Sequence, residues 1–277
     1  MPSKDALIIK STGERELFDI RKLEASLTRA GASKSSVGLI ADHIQKEVRD
    51  GMSTGEIYAH AFSLLRRYEK PAALKYSIRR AVMELGPSGF PFEKFIAEIF
   101  KARGFKAQTN LMARGHCVEH EIDVIAWNDL KLIIGEAKFH NDTGLKSDLK
   151  VALYVKARFD DLKETLFSAD GKERKFDEAH LITNTKFTSH AIDYAKCSRL
   201  ALIGWNYPAQ GNLHNMIEDF NLHPITALTA LSGSEKRNLL SQGIVLSKQL
   251  SDREILKNAG IKETRIDTVL QEIKELF

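Results

Sequence analysis

Cysteine is scarce in this chain: two among 277 residues, Cys117 and Cys197. That excludes a disulfide framework and any cysteine-rich metal motif, and it fits a reducing interior. An excess of one charge sign is also missing. Forty-one Lys and Arg face 37 Asp and Glu, a mild basic bias that permits a nucleic-acid partner without demanding one. No apolar run reaches the length of a membrane span, and residues 1–5, Met-Pro-Ser-Lys-Asp, carry no apolar signal region. The expectation is a cytoplasmic chain with no membrane partner. A G-x-x-x-x-G-K-[ST] loop is absent too, so nothing points to ATP hydrolysis. What remains is the composition of a globular protein, at a length that suits two domains and a small third.

Residues 117–138 concentrate the chemistry. They read Cys-Val-Glu-His-Glu-Ile-Asp-Val-Ile-Ala-Trp-Asn-Asp-Leu-Lys-Leu-Ile-Ile-Gly-Glu-Ala-Lys. Apolar runs at 122–127 and 130–134 flank Asn128-Asp129, a hairpin pattern. Residues two apart share a strand face. Glu119, Glu121 and Asp123 therefore fall together, as do Glu136 and Lys138 on the partner strand. A hairpin closed at Asn128-Asp129 brings Asp123 and Glu136 to one end of the sheet. Two carboxylates and an ammonium beside a Leu-Ile-Ile run are costly to bury unless they serve a reaction. Hard carboxylate oxygens hold Mg2+, or Mn2+. Such an ion stabilises phosphate charge and acidifies a bound water, and a lysine orients that water or the phosphate. The pattern points to phosphodiester hydrolysis.

At these positions the chain resembles the PD-(D/E)xK nuclease superfamily. Asp123 matches the motif aspartate and Glu136-Ala137-Lys138 the E-x-K half, while Ile122 stands where the motif has proline. The surrounding order also resembles the restriction-endonuclease-like fold, in particular its Mrr-like branch, known for DNA cleavage. A helical period at 92, 95, 96, 99 and 100 opens with Phe92-Glu93 and ends at Gly104. Three strands follow, then a helix from about 149, a buried strand at 179–183, a helix at 189–197 and a buried strand at 200–205. Ile182-Thr183-Asn184 and Phe187-Thr188-x-x-Ala191 add to the likeness. The resemblance implies an α/β sandwich with a mixed sheet over 92–222. It also implies a first-helix glutamate at the metal, for which Glu93 is the choice; a solvated helix charge is the alternative. Gln108 and His140 are further candidates for DNA, phosphate or metal-bound water. Lys146, Lys150, Lys156 and Arg158 line a helix that could face the DNA backbone, or simply solvent. Trp205 and Tyr207 read as packing residues.

The first 85 residues read as a small hairpin and helices. Leu7-Ile8-Ile9-Lys10 and Arg15-Glu16-Leu17-Phe18 flank a turn at Ser11-Thr12-Gly13. Asp19 caps a helix. Further helices fall at about 35–50, 53–68 and 72–85, the third opened by a Ser53-Thr54-Gly55-Glu56 capping box. Lys10, Gly13, Phe18-Asp19 and Lys22, with Ala73, Tyr76 and Arg80, resemble the ATP-cone domain, with Ser11, Thr12 and Arg79 departing from its pattern. The resemblance implies that ATP or dATP binds as an allosteric ligand among Ile8, Lys10, Gly13, Glu16, Asp19, Lys22, Thr54, Tyr58 and Arg80. A helical dimerisation module that has lost its ligand is the alternative.

Residues 86–91 are a linker by composition, expected to allow two domain arrangements. Residues 223–277 read as short amphipathic helices broken at Gly243-Ile244 and Gly260-Ile261, similar to helix-hairpin-helix modules that bind phosphate through backbone N–H groups. Lys236, Arg237, Lys248 and Lys262 would add charge. The expected whole is an α+β and α/β multidomain protein, a homodimer or higher homo-oligomer. Its expected activity is metal-dependent DNA cleavage governed by a nucleotide effector. A non-catalytic nucleotide-responsive DNA-binding regulator and a junction-resolving nuclease are the competing readings.

Overall fold

The computed structural model describes residues 6–10 and 13–277; the expected turn residues Ser11 and Thr12, and residues 1–5, lie outside them. Strands β1 (Leu7–Ile9) and β2 (Arg15–Leu17) pair antiparallel. Helices α1 (Ile20–Arg29), α2 (Lys34–Glu47) and α3 (Thr54–Tyr68) follow. Asp19 caps α1 through the Arg21 N–H, and the Ser53–Glu56 capping box forms as the sequence requires. The helix expected over 72–85 is two: α4 (Lys70–Tyr76) and α5 (Ile78–Met83), parted at Ser77. Ser77 turns its hydroxyl back to the Leu74 carbonyl at 2.8 Å, competing with the helical ladder.

Helix α6 (Phe90–Ala102) starts two residues earlier than expected, with Pro91 in its first turn, where a missing N–H costs nothing. Strands β3 (Lys106–Arg114), β4 (Glu119–Trp127) and β5 (Leu132–Lys138) form the antiparallel part of the main sheet. The turn between β4 and β5 spans 128–131 rather than Asn128-Asp129. The Asn128 side chain accepts from the N–H groups of Leu130 and Lys131, which leaves Leu130 out of the strand. Next come β6 (Lys146–Ser147), α7 (Leu149–Leu162), the hairpin β7 (Phe167–Ala169) and β8 (Lys172–Arg174), and β9 (Glu178–Thr183). Strand β10 (Lys186–Phe187), α8 (Ser189–Ser198), β11 (Ala201–Ile203) and α9 (Leu213–Asp219) complete the domain. The five-stranded order is β11-β9-β5-β4-β3, with β5, β9 and β11 parallel, so the expected mixed sheet is present. Its centre, β5, is buried on both faces along Leu132–Gly135, as an apolar run without alternation demands. A β-carbon on Gly135 would lie 3.4 Å from Ile182 and Val124, in contact with both.

Two cores cover the two faces. Helices α7 and α8 cover one, through Val155, Leu162, Ala191 and Ala195 on Ile125, Leu132 and Leu181. Helix α6 covers the other, and its core runs on into the tail: α10 (Gly233–Ser241), α11 (Arg253–Asn258) and α12 (Glu263–Lys274). Leu74, Ile78, Val82 and Leu85 belong to that same core, whereas Ala72 and Ala73 of α4 belong to the N-terminal one. Helix α4 is thus shared by both units. The 86–91 connection is packed, not free: a β-carbon on Gly86 would lie 2.6 Å from both Phe139 and Asn141. Among the described residues, no helix is long and apolar enough to cross a membrane.

In the tail, His223 is 2% exposed and neither ring nitrogen has a partner. Burial pushes its pKa down to about 4. The folded state then binds this proton more weakly than the unfolded chain. Stability should be undiminished above roughly pH 6.5 and fall by up to about 3 kcal/mol as pH drops toward 4. Thermal unfolding at pH 7.5 and pH 5 measures this, and His223→Leu should shrink the difference. An equal loss in that variant would assign it elsewhere.

Candidate active site

The hydrogen-bonded ladder between β4 and β5 runs from Trp127↔Leu132 to Val124↔Gly135. One step further, the Asp123 carboxylate replaces it, accepting the Ala137 N–H at 2.8 Å. This fixes Asp123 beside the segment that carries Glu136 and Lys138. On its other side β5 is held by β9, with Glu136↔Leu181 and Lys138↔Thr183. Burial raises the pKa of Asp123, partly offset by the Ala137 N–H and by Arg158. Burial, then the charge of Asp123, raises that of Glu136.

Glu93, in the first turn of α6, is 9% exposed, and its Oε2 is buried with no partner. Burial, then the charges of Asp123, Glu121 and Glu136, pushes its pKa up to about 7. The structure therefore brings Glu93, Asp123 and Glu136 into one electrostatic unit. They do not close to within 4.8 Å of one another; among the described residues that separation is met by His43, Glu47 and His60, in the N-terminal module. Glu98, further along the same helix, pairs with Lys101 at 2.7 Å. Gln108 lines a separate cleft with Glu98, Gly243 and Gln249. The Lys138 side chain is exposed beside the carboxylates, and its charge favours their ionised forms.

Arg158 is the residue that sequence reasoning misplaced. It does not face outward from α7: its guanidinium donates to Glu136 at 2.5 Å, with 10% and 17% of the two side chains exposed. It also donates to the Tyr154 hydroxyl at 2.5 Å and stacks on that ring. Asp161, in the next turn of α7, accepts the Cys117 N–H at 2.7 Å and pairs with His120 at 2.8 Å. That clasps α7 to the β3–β4 turn and aims Arg158 at the site. The Tyr154–Arg158 spacing of one helical turn was readable; its direction depends on the clasp, which the sequence does not reveal. Lys156 pairs with Asp160 at 2.7 Å on the helix surface.

A donor set made of carboxylate oxygens suits a hard divalent cation. The unpartnered Glu93 oxygen among like charges is what such a cation would satisfy, so the residues fit Mg2+ or Mn2+.

A second candidate site lies at the N-terminal module. A cavity of about 700 Å³ is lined by Lys10, Thr54, Tyr58 and Arg80, together with Arg79 and with Asn141, Asp142 and Thr143 of the loop after β5. Other expected nucleotide residues do not line it. Ile8 is in the module core at 5% exposure. Glu16 bridges Lys10 at 3.0 Å and Lys22 at 3.2 Å, Asp19 is engaged in capping, and Gly13 provides a turn with φ +82°. Tyr58 stacks on Tyr76 at 4.9 Å, and burial raises its pKa.

Comparison with known proteins bears on the family. Residues 86–206 match the restriction endonuclease family model, and residues 223–277 match that of AF1548-like C-terminal domains. An uncharacterized protein of Archaeoglobus fulgidus is 32% identical over 184 residues, which make up 66% of this chain and 99% of the relative. The crystal structure of AF1548, a protein of unknown function, superimposes with a TM-score of 0.57 at 31% identity, covering 68% of this chain and 98% of that one. The chain belongs to the AF1548-like family. The MspJI restriction endonuclease in complex with a 27-mer oligonucleotide is a more distant neighbour: 15% identity, TM-score 0.32, covering 76% of this chain and 44% of that one.

Within this family member the carboxylates sit inside the restriction-endonuclease match, and the Gly-Ile turns inside the C-terminal one. Gly243 and Gly260 have φ of +82° and +80°, each ending a helix as expected. Lys236 is committed to the interior: it donates to the Thr226 carbonyl at 2.7 Å, and burial lowers its pKa. Arg237, Lys248 and Lys262 remain exposed.

Proposed function

We propose that this protein is a metal-dependent DNA endonuclease whose activity is governed by ATP or dATP bound at the N-terminal module. The observation that carries the nuclease reading is Glu93: a buried carboxylate with a free oxygen, set against Asp123 and Glu136. Glu93, Asp123 and Glu136 would hold Mg2+ or Mn2+. When bound, the ion supplies charge neutralisation at the scissile phosphate and a more acidic water. Asp123 keeps the end of β5 in place through the Ala137 N–H. Lys138, exposed at the strand end, meets the phosphate or orients the attacking water. Arg158 holds Glu136 in place and limits the repulsion between the carboxylates. Exposed Arg237, Lys248 and Lys262 on the tail supply phosphate contacts without sequence readout. Cutting both strands of a duplex needs two such sites, hence a homodimer or higher oligomer.

The effector reading rests on the cavity at Lys10, Thr54, Tyr58, Arg79 and Arg80, whose size is that of small-ligand sites, roughly 300–1,000 Å³. One observation favours the non-catalytic regulator instead. The Arg158 guanidinium already supplies a cation to Glu136, so the site could be neutralised without metal. Plasmid nicking separates the two. The nuclease reading expects nicking with Mg2+ or Mn2+, none with EDTA, and a rate that changes with ATP or dATP. Metal-independent binding of DNA without nicking would favour the regulator.

Glu93→Gln should abolish divalent-metal binding and yet stabilise the metal-free protein. The wild-type carboxyl, with its raised pKa, carries its burial cost when ionised, above about pH 7, and escapes it when protonated. A stabilisation on the order of 1–2 kcal/mol at pH 8, shrinking at pH 6, is expected by thermal unfolding. Loss of stability at pH 8 would show that Glu93 is satisfied in a way this account omits.

A further inference from the structure

We infer that the effector cavity is built by both halves of one chain, and that its occupant acts on the catalytic strand directly through residues 139–144. The inference rests on the reading of that cavity as a nucleoside triphosphate site and deepens it. A linker at 86–91 that allows two domain arrangements would let the effector act by moving whole domains or chains. The packed connection at Gly86 removes the freedom that such a switch needs.

The cavity has a cationic wall and a loop wall. Lys10, Arg79 and Arg80 face Asn141, Asp142 and Thr143, with Asp142 the one carboxylate in the lining among the described residues. Lys10 is compensated by Glu14 and Glu16, and Arg80 by Glu84 at 2.8 Å. Arg79 is different. Among the described residues it has no carboxylate within ion-pair distance, and its Nε is buried with no partner. Its guanidinium stacks on Trp205 at 5.8 Å, which braces the wall against the end of the main sheet. A partly buried, uncompensated guanidinium beside the N-terminus of α3 calls for a polyanion. A triphosphate entering there reaches the opposite wall as well.

The loop that carries that opposite wall begins one residue after Lys138, and its first lining residue is Asn141. Phe139 packs on Phe92 with ring centroids 5.4 Å apart, and Phe92 precedes Glu93. The His140 N–H donates to Asn184 Oδ1 at 2.8 Å, while the His140 carbonyl accepts from Asn184 Nδ2 at 2.8 Å. Asn184 Nδ2 also lies 3.1 Å from Met83, which lines the cavity. The Asn141 side chain donates to the Pro87 carbonyl at 3.4 Å. The loop is therefore tied at one end to a metal-site element and at the other to the cavity. A ligand that binds one loop position better than another shifts Lys138 and Glu93 by that differential affinity, with no second chain involved.

Hydrogen exchange on the full-length protein tests this, with saturating ATP, dATP or inorganic tripolyphosphate as probes. Amides of 139–144 should slow by roughly fivefold or more together with those at the start of α3, and mass by light scattering should stay constant. Calorimetry on two variants, each checked for native circular dichroism, adds the second arm. Arg79→Ala should weaken ATP by roughly tenfold or more, and Asn141→Ala with Thr143→Ala by roughly threefold to tenfold. Protection confined to residues before 70, with wild-type ATP affinity in the loop variant, would overturn the inference while leaving the effector reading intact. So would protection of 139–144 that appears only with a change in mass. Absence of any ATP, dATP or tripolyphosphate binding by the wild type would overturn both.

Discussion

Asp123→Ala, Glu136→Ala and Lys138→Ala are each expected to lower the plasmid-nicking rate by about 10²–10³-fold or more, with the fold intact by circular dichroism. The Asp123 carboxylate sits against the Ala137 N–H beside Glu136, and Lys138 is the adjacent exposed cation. Because the three act on one phosphate through one ion, their losses should not add: the double variant Asp123→Ala with Lys138→Ala should be about as slow as the worse single one. Full nicking by any folded single variant would remove that residue from the mechanism. For Glu136 the conservative variant Glu136→Gln serves as a check, since it keeps the shape next to Arg158 while removing the charge.

Arg158→Met should cost stability in the metal-free protein and be partly rescued by metal. The change leaves Glu136 half-buried beside Asp123 without its cation. Breaking such a pair typically costs about 3–5 kcal/mol, but Glu136 can escape by protonating, so a loss of about 1–3 kcal/mol is expected. The sign follows from the raised pKa of Glu136. Removing Arg158 raises it further, so the loss is larger at pH 8.5, where the carboxylate must stay ionised, than at pH 6, where it protonates. Saturating Mg2+ or Mn2+ replaces the missing positive charge and should recover much of the loss at pH 8.5. Thermal unfolding at the two pH values, with and without metal, reads all of this. A variant with wild-type stability at both pH values, and no response to metal, would mean that Arg158 and the carboxylates are not one electrostatic unit.

Much of the restriction-endonuclease-like half was legible because its signals are local. The apolar runs at 122–127 and 130–134 with the turn between them read as a hairpin, and the alternation before them puts Glu119, Glu121 and Asp123 on one face. Glu93 was legible only through the family resemblance; by period alone it reads as a surface charge, and its burial comes from packing against distant strands. Arg158 was misread because the orientation of α7 is set by Asp161 on the Cys117 and His120 region, a contact across more than forty residues. The N-terminal module was legible as a hairpin with capped helices. What the sequence hid is the sharing of α4 between two cores and the packing of Gly86 on Phe139. Composition marks 86–91 as a linker, because glycine and proline serve a tight packed turn as readily as a flexible one. Lys236 reads as a surface charge in the sequence, since nothing local shows that the Thr226 carbonyl and Glu84 lie within its reach.

The most direct test is the anomalous scattering of crystals of the full-length protein grown with Mn2+. The account predicts a single strong Mn2+ peak touching Asp123 and Glu136, with the free oxygen of Glu93 turned to it directly or through water. It also predicts that the Arg158–Glu136 pair is loosened relative to its metal-free separation of 2.5 Å. Crystals at saturating Mn2+ that show no ion at these carboxylates, with Arg158 still bound to Glu136, would contradict it.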